Sequence, residues 1–272
     1  MRGTILYKMT GSGNDFVMLD GRCVDPGYWS RDQIAAVCDR RTGVGADGLV
    51  LLTPEGPDAV RMVYWNSDGS RAAMCGNAAL CSARLSVDLK MVPGGDLRLL
   101  TDAGVVRARS GASGDTAEIN LPDFDAPVPV PGLQPGAGER WLALGTVGVP
   151  HLIVRVEDIE AVDVVGRGGE LRFAPALGTE GANVNFIAPL AGGPWLIRTY
   201  ERGVEGETLA CGTGTVAAAV ALACRKEAAL PLGFRSRGGP ELAVRADIRG
   251  SRVSNAWLGG QGRLVFRAVW ES

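Results

Sequence analysis

The sequence predicts an α/β protein built as two related halves, and three observations carry that prediction. A cysteine-glycine pair occurs twice, as Cys75-Gly76 and Cys211-Gly212, 136 positions apart. The same spacing carries Tyr64 onto Tyr200, Gly45-Ala46 onto Gly181-Ala182, Thr10 onto Thr146 and Ala83 onto Ala219 without a gap. Each pair also precedes a stretch with apolar residues at helical spacing, which sets both thiols at a strand-to-helix turn. At 272 residues the chain suits one large domain or two of about 120–140 residues. Duplication favours two, divided as 1–115 and 116–272, with the last apolar run, 263–270, a closing strand able to pair with either half.

Apolar-rich runs at 4–9, 60–65, 117–121, 151–156, 184–188 and 195–200 read as strands. Ser30 followed by Gln33 resembles a capping box in front of a helix over 34–41. The alanine-rich run 213–224 reads as a buried helix, and 77–89 as its counterpart in the first half. The Pro- and Gly-rich segment 125–139 has no periodic pattern and is expected to be a loop or linker.

Composition excludes several functions. A formal charge of −2 and the lack of any Lys/Arg run argue against nucleic-acid binding. No stretch approaches the roughly 20 apolar residues that span a bilayer, and 1–20 has no charged segment leading into an apolar run; a cytoplasmic location without membrane contact is expected. Six cysteines with no C-x-x-C point to reduced thiols rather than a disulfide framework or structural zinc. Cys23, Cys38, Cys81 and Cys224 are read as small buried hydrophobes. None of the three lysines, Lys8, Lys90 and Lys226, has a context that marks a Schiff-base residue, so pyridoxal phosphate finds no support, and no cofactor or metal is expected.

The two thiols carry the chemistry. A thiol ordinarily titrates near a pKa of about 8.5, and the unpaired N–H groups of a helix N-terminus favour its thiolate. Two facing halves would put one thiol on either side of a single cleft, so that a proton leaves one face of a carbon and returns to the other. Negative charge that spreads onto the substrate carboxylate after removal of an α-proton would be received by the N–H groups of Gly76, Asn77, Gly212 and Thr213. Inversion needs one thiolate and one thiol at a time. Glu201 and Arg202, shortly before Cys211, offer a carboxylate to an ammonium group and a guanidinium to a carboxylate. His151, the single histidine, ordinarily has a structural role in such a strand; near a thiol it would tune protonation. Asn14, Asn66 and Asn183 sit in turn-like contexts where Asn commonly serves the backbone.

With these residues in place, the chain resembles the diaminopimelate epimerase family. The motifs that carry the resemblance are Gly11-Ser12-Gly13-Asn14-Asp15-Phe16, Asn66-Ser67-Asp68-Gly69-Ser70, Met74-Cys75-Gly76-Asn77, Pro150-His151, Asn183, Glu201-Arg202-Gly203 and the highly specific run from Gly206 to Gly214. The resemblance implies two pseudo-symmetric domains, each a mostly antiparallel sheet wrapped around a central helix. It implies cofactor-independent interconversion of LL- and meso-diaminopimelate, a step toward lysine and peptidoglycan precursors. Cys75 and Cys211 would be the acid-base pair; Asn14, Asn66, Asn183, Glu201 and Arg202 would bind substrate; His151 and Glu201 would adjust the thiols; homodimers are usual.

The chain departs from the family pattern at a few positions. Gly48 stands where some members carry Gln, Val149 where many carry Asn, Ala78-Ala79-Leu80 where Gly-Ala-Arg is common, and Glu205 resembles a one-residue insertion. The first two leave out side-chain amides expected to touch substrate. Three other functions compete: a two-cysteine racemase of another amino acid, including proline or hydroxyproline, whose family typically has His where Asn77 stands; a non-catalytic binding protein; and a thiol-disulfide oxidoreductase.

Overall fold

The computed structural model describes residues 3–24, 27, 29–110 and 114–271. The chain forms two compact units, one of Met1–Asn120 with Gly259–Ser272 and one of Leu121–Leu258.

In the first unit, β1 (Thr4–Gly11) and β2 (Asn14–Asp20) form a hairpin, followed by α1 (Arg31–Cys38), β3 (Gly48–Pro54), β4 (Ala59–Asn66), β5 (Arg71–Ala72) and α2 (Gly76–Asp88). The meander β6 (Gly95–Thr101), β7 (Gly104–Ser110) and β8 (Thr116–Asn120) then closes this stretch. Pairing is antiparallel except where a helix crosses over, at β2–β3 and β4–β6. Those crossovers explain the sequence pattern. Gly48 to Leu52 of β3 are all buried, a continuous apolar run typical of a strand covered on both faces. On one face Val17, Leu19, Leu49 and Leu51 join Ile34 and Val37 of α1. The helix α2, buried from Asn77 to Ser86, touches strands β1 to β4 and β6 to β8, so the sheet wraps around it. The capping box at α1 forms as expected, the Ser30 hydroxyl accepting from Gln33 N and the Gln33 amide accepting from Ser30 N.

The second unit repeats the plan: β9 (Phe124–Asp125), β10 (Glu139–Val147), β11 (Val149–Val156), α3 (Val164–Arg172), β12 (Asn183–Pro189), β13 (Trp195–Glu201), β14 (Gly206–Thr208), α4 (Gly212–Cys224), β15 (Leu232–Ser236), β16 (Glu241–Arg249) and β17 (Arg252–Gln261). Here too the crossovers β11–β12 and β13–β15 are parallel, and the hairpins are antiparallel. Helix α4 is buried from Gly214 to Leu222 and touches β10, β11, β12 and β16; its run of alanines keeps its girth small enough for strands on several sides. Along β12, Val184, Phe186 and Ala188 join Val164 and Leu171 of α3 in the core. Because strand side chains alternate, Asn183 and Asn185 point to the opposite face. Burying a side chain the size of Phe186 contributes about 1.5–3 kcal/mol.

Two sequence expectations differ from the structure. The boundary expected before Thr116 falls after Asn120, because β8 pairs with β7 and so completes the first unit. The chain returns at its end as β18 (Arg263–Trp270), which pairs antiparallel with β1 from Thr4↔Trp270 to Thr10↔Arg263. The first unit is therefore discontinuous in sequence. Segment 125–139 is largely without regular structure, but Val128 bridges to Leu144 of β10. Of the four cysteines read as buried, Cys38 and Cys81 are, whereas Cys23 and Cys224 are exposed. Cys23 lies in the turn after β2, and Cys224 ends α4 where the helix leaves its strands.

Candidate active site

Both cysteine-glycine pairs stand at the same backbone position. Cys75 is the residue preceding α2, with φ −135° and ψ 126°. Cys211 precedes α4, with φ −131° and ψ 105°. Each helix runs thirteen residues. Helical hydrogen bonding starts with Ala79 N to Cys75 O at 2.9 Å and Thr215 N to Cys211 O at 3.0 Å. The N–H groups of Gly76, Asn77, Gly212 and Thr213 thus lie in the first turn, where no helical carbonyl precedes them, and the helix dipole favours negative charge there. Both thiols are partly exposed.

Around Cys75 the first unit builds a charged scaffold that holds amides. Asn77 is buried; its Nδ2 donates to Asn14 Oδ1 at 2.6 Å, and Asn14 Nδ2 donates to Asp47 Oδ2 at 2.8 Å. Arg40 clamps both carboxylates, its Nη2 lying 2.7 Å from Asp15 Oδ1 and 2.7 Å from Asp47 Oδ1. Buried Lys8 donates to Asp15 Oδ2 at 2.5 Å and to the Gly45 carbonyl. Burial pushes the Asp15 carboxyl up, but the hydrogen bonds and charges of Arg40 and Lys8 outweigh it and hold the carboxyl at about 2. Asn77 Oδ1 is buried with no hydrogen-bond partner among the described residues, an acceptor suited to a donor on a ligand. Gly11 allows this close packing, since a Cβ there would lie 2.6 Å from Asn77 O and 2.8 Å from Cys81 Sγ. Asn66 stands apart from this set. Its Nδ2 donates to Ser70 Oγ at 3.0 Å within the turn that ends β4.

The second unit surrounds Cys211 with a different set. His151 on β11 is fully buried, and its Nε2 lies 3.0 Å from Thr213 Oγ1, which lies 3.8 Å from Cys211 Sγ. Burial, and then the charge of Arg202, pushes the imidazole down to about 3, so His151 is neutral at ordinary pH. Asn183 Oδ1 accepts from Arg202 N at 2.8 Å, while the Arg202 guanidinium reaches Glu180 Oε2 at 3.2 Å. Burial pushes the Glu201 carboxyl up, partly offset by Thr208 on β14. The structure therefore joins His151, Thr213 and Cys211 in one contact chain and Asn183 with Arg202 in another. Glu201 sits with Thr208.

Gly48 has a steric explanation. A Cβ there would lie 2.5 Å from Trp65 O and 2.6 Å from Tyr64 Cε2, so the Tyr64 ring fills the space a longer side chain would need. Glu205 takes φ 54°, at the position of Gly69 (φ 77°) in the first half, so within the repeat it is matched rather than inserted. Asp47, Lys8, Arg40 and Asn185 were not among the residues singled out from sequence. Asn185 had a usable signal: Asn183-Val184-Asn185 puts two amides on one face of an otherwise apolar strand.

Comparison with known proteins narrows the chemistry. The diaminopimelate epimerase family model matches residues 6–120 and 144–253. The chain belongs to the diaminopimelate epimerase family. Among its relatives, the diaminopimelate epimerase of Gemmatimonas aurantiaca is 42% identical over 273 residues, covering 96% of each chain. That of Aquifex aeolicus is 40% identical over 223 residues, covering 79% of each. Solved structures extend the fold beyond the family. A Bacillus anthracis phenazine biosynthesis protein of the PhzF family superposes with TM-score 0.74 at 13% identity, covering 100% of both chains. A hydroxyproline epimerase from Agrobacterium vitis gives 0.64 at 20% identity, covering 98% of this chain and 93% of the other.

Proposed function

We propose that this family member interconverts LL- and meso-diaminopimelate, a step toward lysine and peptidoglycan precursors, with Cys75 and Cys211 as its two acid-base groups and no step routed through a cofactor. One thiolate takes the α-proton, and the other thiol delivers a proton to the opposite face; the roles exchange with the direction of reaction. As the proton leaves, charge moves from the α-carbon onto the carboxylate, where the first-turn N–H groups of a helix stabilise it. The observation that carries the reading is the duplicated helix start: two thiols, each at the head of a buried thirteen-residue helix, in a chain of this family. In this reading Asn14, Asn66, Asn77, Asn183, Glu201 and Arg202 hold the substrate, with Gly76, Gly212 and Thr213 contributing backbone N–H groups.

The test incubates the protein with LL-diaminopimelate in deuterated water, beside proline, hydroxyproline and common amino acids, and follows both isomer composition and deuterium at the α-carbon. The expected result is deuterated meso-diaminopimelate. Exchange confined to proline or another shorter amino acid would overturn the substrate assignment.

A homodimer is the expected assembly. Ile5 and Val269, paired across β1 and β18, are both exposed, an apolar pair on the first unit that supports this reading. Sedimentation equilibrium of the purified chain tests it. No helix among the described residues is long and apolar enough to cross a membrane.

A further inference from the structure

We propose that Asn185 is a positioning residue that keeps the proton of His151 on Nε2, so that Thr213 turns its hydroxyl hydrogen toward the Cys211 sulfur. This rests on the reading of Cys211 as an acid-base group.

The argument starts from the orientation of one amide. Asn185 is fully buried. Its Oδ1 accepts from Thr199 Oγ1 at 3.0 Å, and its Nδ2 lies 3.3 Å from Leu152 O and 3.5 Å from Asn183 O. Two carbonyls can only accept, so the nitrogen must stand where they are, which fixes the amide without reference to the histidine. That same Nδ2 lies 3.3 Å from His151 Nδ1. An amide nitrogen donates and does not accept, so a proton on Nδ1 would face a donor. The neutral imidazole therefore carries its hydrogen on Nε2. Nε2–H then donates to Thr213 Oγ1 at 3.0 Å. The threonine hydrogen can no longer go to that nitrogen, and the sulfur of Cys211 at 3.8 Å is the remaining partner of the hydroxyl among the described residues. Donation into sulfur favours the thiolate over the thiol.

Space is committed to this arrangement. A Cβ at Gly214 would lie 2.1 Å from Asn185 Oδ1 and 3.2 Å from His151 Nδ1, so the helix start is shaped around the amide and the ring together. The first unit has no such chain. By the repeat, Asp15 stands at the place of His151, Leu49 at that of Asn185, and Asn77 at that of Thr213. The inference is therefore specific to Cys211.

The chain has a single histidine, so 15N-labelled histidine gives ring-nitrogen signals that need no assignment. In the wild-type protein at pH 7, a one-bond proton coupling at Nε2 and none at Nδ1 is expected; a proton on Nδ1 overturns the proposal. In Asn185→Asp the carboxylate only accepts, so a proton is expected on Nδ1; an unchanged tautomer shows that another group sets it. In Thr213→Val, alkylation of Cys211 by iodoacetamide at pH 7, read by peptide mass spectrometry, is expected to slow about tenfold, with Cys75 unaffected. An unchanged rate at Cys211 overturns the link to the sulfur. None of these measurements needs the substrate. A wild-type spectrum with Nε2–H from a protein that does not turn over diaminopimelate would sink the proposed function alone, and an active epimerase with Nδ1–H would sink this inference alone.

Discussion

The two cysteine turns share a backbone and differ in everything that surrounds the sulfur. Residue for residue, α2 and α4 occupy matching positions of the repeat, and the preceding cysteines agree within about 20° in φ and ψ. Yet the neighbourhood of Cys75 is fixed by permanent charge: Lys8, Arg40, Asp15 and Asp47 lock Asn14 and Asn77 in place. The neighbourhood of Cys211 is a neutral run of hydrogen bonds through Asn185, His151 and Thr213. Duplication kept the device that stabilises a thiolate, a helix N-terminus, and changed the groups that would carry or withhold a proton. An enzyme that inverts a centre needs one proton shared between its two acid-base groups, and the two turns differ in the surroundings that would set where that proton rests.

The largest expected effect breaks the comparison at the sulfurs. Cys75→Ala and Cys211→Ala should each lower epimerisation by about a hundred- to ten-thousandfold, the range for removal of a general acid or base. The remaining thiol still serves one face. Each variant should therefore exchange the α-proton of one isomer with deuterated solvent and not the other, with the isomer reversed between the two variants. Exchange of the same isomer by both, or undiminished turnover in either, would refute the division of labour.

A second difference shows in pH dependence. An unfolded histidine titrates at 6.5, whereas burial and Arg202 hold folded His151 at about 3. Between those values only the unfolded chain takes up the proton. Stability is then complete above pH 6.5 and declines as pH falls toward 3, by roughly 5 kcal/mol at about 1.36 kcal/mol per pKa unit. Asp15 has the same sign over a lower window: its contribution is present above 3.8 and disappears as pH drops toward about 2. Urea denaturation across pH should show the upper slope flattened in His151→Gln, with the decline below pH 4 retained. A variant with an unaltered slope would mean that His151 is not what the acid limb reports.

These groups differ in how far the sequence exposed them. The strands around 60–65, 151–156, 184–188 and 195–200, both central helices and the repeat spacing were legible because a strand covered on both faces must be apolar throughout, a helix enclosed like α4 is apolar nearly all round, and α2 carries apolar residues at helical spacing. Cys75 and Cys211 were legible because they repeat. Of their neighbours, His151, Asn14, Asn77 and Thr213 were named from the sequence, whereas Asp47, Lys8, Arg40 and Asn185 were not. Those four are placed by tertiary register rather than by the repeat: Asp47 meets Asn14 because β2 and β3 run parallel with Phe16 opposite Gly48. The unit boundary was missed for a related reason: that β8 pairs with β7 and so belongs to the first unit depends on tertiary register, not on its own residues.

A smaller effect tests whether the shape of the two helix starts is interchangeable. Gly214 of α4 corresponds to Ala78 of α2, which is buried with its Cβ accommodated. Inside a helix Gly→Ala ordinarily gains about 0.5–1 kcal/mol. Gly214→Ala should instead lose about 1–3 kcal/mol, because the new Cβ collides with Asn185 Oδ1. Ala78→Gly should cost about 1 kcal/mol, the ordinary propensity term. Thermal unfolding of both variants decides; a stabilised Gly214→Ala would show that the amide yields easily.

The smallest effect concerns the charged scaffold. The Arg40 side chain is 59% exposed although it clamps Asp15 and Asp47, so solvent screens most of its contribution. Arg40→Met should change stability by no more than about 1 kcal/mol. Its consequence should appear in binding. Asp47 loses its restraint and Asn14 its fixed partner, so KM for diaminopimelate should rise by a factor of about 2–5 while kcat is retained, the signature of lost uniform binding. A fall in kcat at constant KM would instead place the scaffold in the proton-transfer step. The first unit would then tune its thiol by charge just as the second does through neutral hydrogen bonds, and the contrast between the two turns would be one of means rather than of role.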